Sequence, residues 1–277
     1  MRTVELVPGI HSSALGFGCA SILGSVDERT AKRALDCAID YGVNHLDLAR
    51  SYGYGEAENF VGKLLKGRRN QFVIASKFGI QANWKASLLK PIKPLVRVIR
   101  SKNKRNKSEG LISGTISNAS NRFHDRLPCR RTVMRNSLEQ SLQALKTDHL
   151  EYLFIHEPLE RLIYIDELIE TAQLLKEEGK IRAWGLAFMN KQKPIHESYL
   201  CHFDVLQFDN PSNKLQYDAL VNQRSFSPNI IFSAMSGGDS YLKPLDKLRQ
   251  IVSDFPNSVI LCSMFNEEHI KANATTV

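Results

Sequence analysis

The sequence of 277 residues has few of the features that mark specialised classes of protein. Its five cysteines are odd in number and form no CxxC pair, so we expect reduced thiols and predict no metal site. Glycine and proline, at 16 and 10 residues, are too infrequent for a collagen-like or low-complexity chain. With 43% hydrophobic and 24% charged residues, the chain is predicted to be globular, and its length suits one large domain or two small ones. The barrel predicted below makes residues 1–277 a single domain.

Long apolar runs are also lacking. The longest uncharged stretch, residues 12–26, contains several glycines and serines and is too short to cross a bilayer, so we predict no membrane partner. The first residues, MRTVELVPGIHSS, include an acidic residue and two helix breakers where a signal peptide would be apolar. We therefore expect the protein to be cytoplasmic.

Acidic residues are scarce in one segment, where the net positive charge of the chain is concentrated. Residues 85–131 contain thirteen lysines and arginines against two acids, a net charge of +11, while the whole chain carries +8. The segment has neither a helical nor a strand period, so we predict an inserted basic loop over about 81–131. It could be a solvated surface loop or a lid that attracts an anionic substrate. Because it contains almost no aromatic residues that could stack on bases, we predict no nucleic-acid partner.

Short apolar runs alternate with segments of helical period along the rest of the chain. We predict eight strands, at residues 14–18, 43–48, 72–76, 150–155, 183–187, 205–208, 229–232 and 259–262. The clearest amphipathic helices are predicted around residues 31–39, 57–65, 134–145 and 165–175. Eight βα units predict an α/β fold, a closed (β/α)8 TIM barrel, with the basic loop after its third strand. An open doubly wound sheet is the alternative, but no GxGxxG motif follows the first strand.

Polar side chains end three of the predicted strands, where the active sites of such barrels lie. Asp47 ends the second strand, Lys77 the third and His156 the fourth, and Tyr52 follows in the loop after the second. A phenol is a poor acid at neutral pH, and a neighbouring ammonium such as Lys77 favours phenolate and lowers the phenol's pKa. Asp47 would hold the lysine charged, and His156 could donate a hydrogen bond to a substrate oxygen. This combination suits carbonyl reduction, in which a hydride adds to carbon and a proton reaches oxygen.

A structural role or a different chemistry is also compatible with these residues. Each of the four side chains, taken alone, is more often structural than catalytic. A barrel hydrolase would instead use Asp47 with Glu56 or Glu157 as acid and base, but it would leave Tyr52 and Lys77 without a role.

Five segments resemble motifs of the aldo-keto reductase superfamily, over nearly the whole chain. They are LGFGCAS at 15–21, DLARSYGYGEAE at 47–58, VIASK at 73–77, LEYLFIHEP at 150–158 and LKEEGKIRAWGLAF at 175–188. The second resembles the family signature DTAxxYGxSE, with Asp47 and Tyr52 in register. The resemblance implies that Tyr52 is the general acid, that Lys77 and Asp47 tune it, and that His156 orients the carbonyl.

The resemblance also implies a nicotinamide cofactor, NADP, with NAD as the alternative. The positions in register with cofactor contacts of the family are Gly18, Cys19, Ala20, Asp47, Gln207, Phe232, Ser233, Met235, Ser263, His269 and Asn273. Gln207 would approach the nicotinamide amide. Phe232 would stack on the ring, where relatives commonly carry tyrosine.

Three departures from the family pattern concern the cofactor and the substrate. Ala187 and Phe188 replace the serine and asparagine that hold the carboxamide, so Asn190 or backbone groups would have to share that role with the glutamine. Ser263 and His269 replace a lysine and an arginine that hold the adenosine phosphate, which makes NAD use credible. The chain ends where the final helix of the family would begin, so we expect a truncated C-terminus and an open substrate pocket.

The resemblance therefore implies an oxidoreductase that reduces the aldehyde or ketone of a small-molecule carbonyl substrate, or oxidises the corresponding hydroxyl. The YGYGEAE and HEP motifs are similar to the branch that handles sugars, and the basic loop suits an anionic substrate such as an acidic sugar derivative. The alternative is a non-enzymatic, nucleotide-binding regulatory relative with the same fold, which Ala187 and Phe188 suggest.

Overall fold

Eight parallel strands close into a barrel in the computed structural model, which describes residues 1–88, 122–210 and 229–277. The barrel strands are β3 (Leu15–Gly18), β4 (His45–Asp47), β5 (Val73–Phe78), β8 (Leu150–His156), β9 (Ile181–Phe188), β10 (Val205–Asp209), β11 (Ile230–Phe232) and β12 (Val259–Cys262). Successive barrel strands pair with one another, and β12 pairs with β3 to close the ring. Each of the eight predicted strands overlaps one of these, which confirms the TIM barrel.

Helices cover the outside of the barrel. They are α1 (Glu28–Asp40), α2 (Ala57–Leu64), α3 (Trp84–Leu88), α4 (Arg131–Leu145), α5 (Ile165–Glu177), α6 (Lys193–His196), α7 (Pro244–Asp254) and α8 (Glu267–Thr276). Asp27 caps α1 by accepting a hydrogen bond from the Thr30 backbone N–H at 3.0 Å. Within the described ranges, none of the helices combines the length and the apolar composition that crossing a membrane requires.

Two antiparallel strand pairs lie outside the barrel, and the sequence analysis predicted neither. β1 (Thr3–Val7) and β2 (Ile10–Ser13) form a hairpin before the first barrel strand, and their apolar side chains pack against the barrel interior. β6 (Ile80–Ala82) and β7 (His124–Arg126) pair near the two ends of the basic insertion. The predicted loop over 81–131 is therefore regular at its described ends, and residues 89–121 of that prediction lie outside the described residues.

Gly62 in α2 lies against the carboxyl end of α4. A Cβ atom at this position would be 2.6 Å from the Leu145 carbonyl oxygen and 2.7 Å from that of Ala144. Alanine is favoured over glycine inside a helix by about 1 kcal/mol, but the clash here is with backbone atoms, which cannot move aside cheaply. We expect Gly62→Ala to lower the free energy of unfolding by about 1–3 kcal/mol in urea titrations.

The matched control is Lys63→Ala, one residue further along the same helix and exposed to solvent. Its free energy of unfolding should stay within about 0.5 kcal/mol of the wild-type value. A Gly62→Ala variant as stable as this control would contradict the close packing of α2 on α4.

Candidate active site

The alternation of side chains along the barrel strands places polar groups at one end of the barrel interior. Along β5, Val73 and Ala75 face inward, and the next residue with that orientation is Lys77. The same period places Asp47 at the end of β4 and His156 at the end of β8. These three side chains and Tyr52 line one cavity of about 330 Å³. The structure thus brings together the four residues that were predicted to carry the chemistry.

The Lys77 ammonium is at the centre of this group. Its Nζ atom donates to Asp47 Oδ2 at 2.6 Å, to the Leu48 carbonyl oxygen at 2.8 Å and to Tyr52 Oη at 3.1 Å. Burial alone would lower the pKa of Lys77, but the Asp47 carboxylate and these hydrogen bonds raise it above its ordinary value. Lys77 is therefore an ammonium whose three donors are all satisfied.

Both oxygens of Asp47 are used inside the protein. While Oδ2 accepts from the lysine, Oδ1 accepts from Gln207 Nε2 at 2.9 Å, and both partners are buried. A carboxylate held in this way is a poor general base for water. Of its two possible partners in the hydrolase alternative, Glu157 lines the cavity and Glu56 is not among the described residues that do. The alternative is disfavoured because both oxygens of Asp47 are already engaged by Lys77 and Gln207.

A sharp turn after β4 brings Tyr52 back over the barrel end. Gly53 adopts a φ of 61°, and a Cβ atom there would lie 2.6 Å from the Ile22 carbonyl oxygen, so only glycine fits. The Arg50 side chain pairs with Glu58 of α2, whose carboxylate is buried. This ion pair anchors the turn to the helix that follows it.

Tyr52 is a weaker acid in this structure than the sequence predicted. Burial raises the pKa of Tyr52 to about 12, while the positive charge of Lys77 acts in the opposite direction. The contribution of Lys77 has the predicted sign, but the net direction was predicted wrongly, because loss of water around a phenolate outweighs one neighbouring cation. A phenol with this pKa keeps its proton at neutral pH and remains a proton donor.

His156 packs edge-on against the Tyr52 ring, with centroids 5.9 Å apart and the ring planes at 82°. Burial, together with the positive charges of Lys77 and Arg126, holds the pKa of His156 well below its ordinary range. The imidazole is therefore neutral and carries one N–H. Its Nδ1 atom is buried and has no hydrogen-bond partner in the described part of the chain, so the ring is not held by a protein acceptor on that side.

Most positions predicted to contact a cofactor line the same cavity. They are Gly18, Ala20, Asp47, Gln207, Phe232, Ser233, Met235 and Ser263. Cys19 does not, because its side chain is fully buried, with the thiol donating to the Phe17 carbonyl oxygen at 3.6 Å. His269 and Asn273 lie on α8 and are not part of this cavity wall, so their cofactor contacts stay predictions.

Two features of the cavity fit a nicotinamide ring. Gln207 Oε1 is buried without a hydrogen-bond partner among the described residues, and it can accept from a carboxamide NH2 group. Phe232, at the end of β11, contributes an aromatic side chain on which a flat ring can stack.

Ala187 and Phe188, which stand where the resembled family has a serine and an asparagine, have no side-chain hydrogen-bond donor for a carboxamide. Ala187 lines the cavity with a methyl group, and Phe188 is fully buried and packs against Phe208. Asn190 does not substitute for them, because its side-chain amide donates to the carboxylate of Asp209 at 3.0 Å. The proposal that Asn190 helps to orient the carboxamide is therefore not supported by its position.

Sequence reasoning assigned no reductase role to several residues of the cavity wall. They are Glu157, Ala234, Ser236, Leu261 and Cys262. Glu157 and Ser233 adopt φ values of 44° and 53°, which residues other than glycine seldom do and which concentrate at ligand sites. Amino-acid composition does not indicate such backbone conformations. The available indication in the sequence was the position of these residues at or just after the ends of predicted strands.

Comparison with known proteins identifies relatives of this chain. The sequence model of the Aldo/keto reductase family matches residues 14–231. Aldo-keto reductase YhdN of Bacillus subtilis (strain 168) is 29% identical over 185 residues, which cover 65% of this chain and 44% of that protein. D-threo-aldose 1-dehydrogenase of Pseudomonas sp is 26% identical over 194 residues, 65% of this chain and 51% of that protein. The chain thus spans about half the length of these two curated relatives.

A solved structure gives the same fold. The aldo-keto reductase from Klebsiella pneumoniae in complex with NADPH matches with a TM-score of 0.65 and 19% identity. The match covers 99% of this chain and 89% of that one.

Proposed function

The chain belongs to the aldo/keto reductase family, and from this membership and the geometry of the cavity we propose that it is an NAD(P)H-dependent oxidoreductase. Its reaction would be the reduction of an aldehyde or ketone, or the oxidation of the corresponding hydroxyl. The observation that carries the proposal is the position of Lys77 Nζ, 3.1 Å from Tyr52 Oη and 2.6 Å from Asp47 Oδ2.

Each residue of this group has a defined task in the proposed reaction. A bound nicotinamide nucleotide supplies or accepts the hydride. Tyr52 donates its phenolic proton to the substrate oxygen as negative charge develops there, and Lys77 stabilises the phenolate that remains. His156 donates its one N–H to the same oxygen and so orients the carbonyl. Asp47 keeps the lysine in position.

We propose NADP as the cofactor, with NAD as the second possibility. Gln207, Phe232 and Ser263 would hold it, and the NADPH complex of the Klebsiella pneumoniae structure supports a nicotinamide nucleotide in this fold. The Ser263 hydroxyl donates to the Gly18 carbonyl oxygen at 3.2 Å and would have to turn from it to donate to a phosphate. Because it also carries no charge, we expect a smaller preference for the phosphorylated nucleotide than a lysine at that position would give.

A sugar or an acidic sugar derivative is the proposed substrate class. The similarity to a protein named as an aldose dehydrogenase supports a sugar. The net charge of +11 over residues 85–131 supports an anionic one, because such a segment raises the local concentration of anions.

The two directions of the reaction should depend differently on pH. Reduction needs the protonated phenol, which is present below its pKa of about 12, so kcat for reduction should stay nearly constant between about pH 6 and about pH 9. Oxidation needs the phenolate, whose fraction rises with pH, so kcat for oxidation should increase about tenfold per pH unit over that range. Steady-state rates in both directions check this. A reduction rate that falls through neutral pH would assign the proton to another group.

Titration with NADPH and NADH, followed by turnover with a panel of aldehydes and sugars, tests the proposed function. Binding with nucleotide oxidation on at least one carbonyl is the expected result. Tight binding without turnover on any of them would favour the second candidate, a regulatory relative that binds the nucleotide without catalysis. Ala187 and Phe188 are the observations that favour this candidate, since neither can hold a carboxamide by a side-chain hydrogen bond.

A further inference from the structure

A second cavity, of about 580 Å³, adjoins the catalytic cavity. The two share Ala20, Tyr52 and Glu157 in their walls. Gln207, Phe232 and Ser263, the side chains proposed to hold the nucleotide, line only the first cavity, whereas Ala20, another predicted cofactor contact, lines both. A substrate whose carbonyl reaches the Tyr52 hydroxyl can therefore extend into this space.

The strand pair of β6 and β7 lines part of the second cavity. It contributes Ile80, which pairs with Arg126 in the strand register, and His124, whose Nε2 hydrogen-bonds the Ser51 carbonyl oxygen at 3.0 Å. Tyr54 lies nearly parallel to the His124 ring, with an interplanar angle of 8°. These contacts attach the strand pair to the turn that carries Tyr52.

Arg126 brings a positive charge to this wall. Its Nη1 atom donates to the Glu157 carbonyl oxygen at 2.7 Å, and among the described residues no carboxylate forms an ion pair with it. The neighbouring arginines differ, since Arg130 pairs with Glu167 and Arg131 with Glu170. Within the described ranges, the other N–H donors of the Arg126 guanidinium thus have no carboxylate partner, and their planar arrangement matches a carboxylate.

Charges along the cavity indicate where a negative group on the substrate would sit. Glu157 lines both cavities, and its negative charge acts on Tyr52, whereas Arg126 lines only the second. A carboxylate at the end of the substrate remote from its carbonyl would lie beside this guanidinium, whereas one adjacent to the carbonyl would not extend into the second cavity.

We infer that the second cavity binds a carboxylate at the end of the substrate remote from its carbonyl, and that Arg126 is the residue that recognises it. This inference depends on the proposed function, because it places the substrate carbonyl at Tyr52. It assigns to the strand pair of β6 and β7 the selection of ω-carboxylated carbonyl compounds over neutral ones and over 2-oxo acids.

The test uses the full chain and three probes: terephthalaldehydic acid, its neutral primary amide, and glyoxylate. In the wild type we expect KM for the acid to be at least about tenfold below that of the amide, and glyoxylate, whose carboxylate cannot extend into the second cavity, to be a poorer substrate than the acid. Arg126→Gln should raise KM for the acid about 10- to 100-fold, the effect of losing a charge-assisted hydrogen bond, and change KM for the amide by less than about twofold. Because the charge of Arg126 also acts on His156, any change in kcat should be the same for the acid and the amide.

Two further variants separate recognition from loss of structure. Arg131→Gln removes the same charge from an exposed arginine outside the cavity and should leave all constants at wild-type values. Arg126→Lys keeps the positive charge but loses the paired N–H donors of the guanidinium. We expect its KM for the acid to lie between those of the wild type and Arg126→Gln. It also takes the place of Arg126→Gln should that variant fail to fold.

The outcomes distinguish this inference from the proposed function. Turnover of the amide with no preference for the acid, or an Arg126→Gln variant with unchanged KM for the acid, would overturn the inference and leave the proposed function standing. If the wild type reduces no aldehyde, the proposed function fails. Calorimetric titration of terephthalaldehydic acid into wild type and Arg126→Gln then decides whether the cavity binds the carboxylate. Equal affinities of the two proteins for the acid would overturn the inference.

Discussion

Tyr52→Phe is expected to lower kcat for aldehyde reduction by about 10²–10⁴-fold, the usual contribution of a general acid. The substitution removes one hydroxyl, which accepts a hydrogen bond from Lys77 Nζ at 3.1 Å, and keeps the ring that packs against His156. Lys77 retains its other two acceptors, so the ammonium stays in place. Affinity for NADPH, measured by fluorescence titration, should remain within about twofold of wild type, because the binding surface is unchanged.

Tyr41→Phe is the matched control, since it removes the same atom from a tyrosine exposed on the surface. It should have the wild-type kcat. Rapid aldehyde reduction by Tyr52→Phe would show that the proton comes from elsewhere. A large loss of NADPH affinity in the same variant would show that the hydroxyl serves binding and not proton transfer.

Lys77→Met should lower kcat for aldehyde reduction to a similar extent and should also destabilise the fold. Methionine matches the length of lysine but leaves the Asp47 carboxylate, which is 3% exposed, as a buried charge without its cation. Breaking one partner of such a pair costs about 3–5 kcal/mol in the free energy of unfolding. Without the ammonium, the phenolate of Tyr52 also loses its stabilising charge, so proton transfer becomes less favourable.

The double variant Lys77→Met with Asp47→Asn separates these two effects. Removing the second charge should restore most of the lost stability, because an amide can be buried at lower cost than a carboxylate. Activity should not return, since the cation beside the phenol is still missing. Urea unfolding and steady-state kinetics on the same preparations measure both. A double variant that regains activity along with stability would give Lys77 a purely structural role.

The barrel and the four central residues could be predicted because their signals are local. Each barrel strand is a short apolar run, and the period of two that buries Val73 and Ala75 also directs Lys77 into the same interior. Because closure of the barrel brings the carboxyl ends of its strands together, the site could be predicted without knowing which distant residues are in contact.

The remaining features depend on contacts between residues far apart in the sequence, or on how deeply a side chain is buried. β6 and β7 have three residues each and pair across more than forty positions of sequence, so neither has a local strand signal. The pKa of Tyr52 is set by the depth of its burial, which a list of neighbours does not contain. The resemblance could place Cys19 beside a ligand, but only the backbone geometry shows that its thiol turns inward.

A single-turnover experiment tests the central claim most directly. NADPH-loaded protein is mixed with the neutral amide of terephthalaldehydic acid in a stopped-flow instrument, and the nicotinamide fluorescence is followed for the wild type and Tyr52→Phe. We predict that the signal is lost in one phase in the wild type and persists in the variant. Loss at the same rate in both proteins, or a wild type that binds NADPH and never oxidises it, would contradict the role assigned to Tyr52.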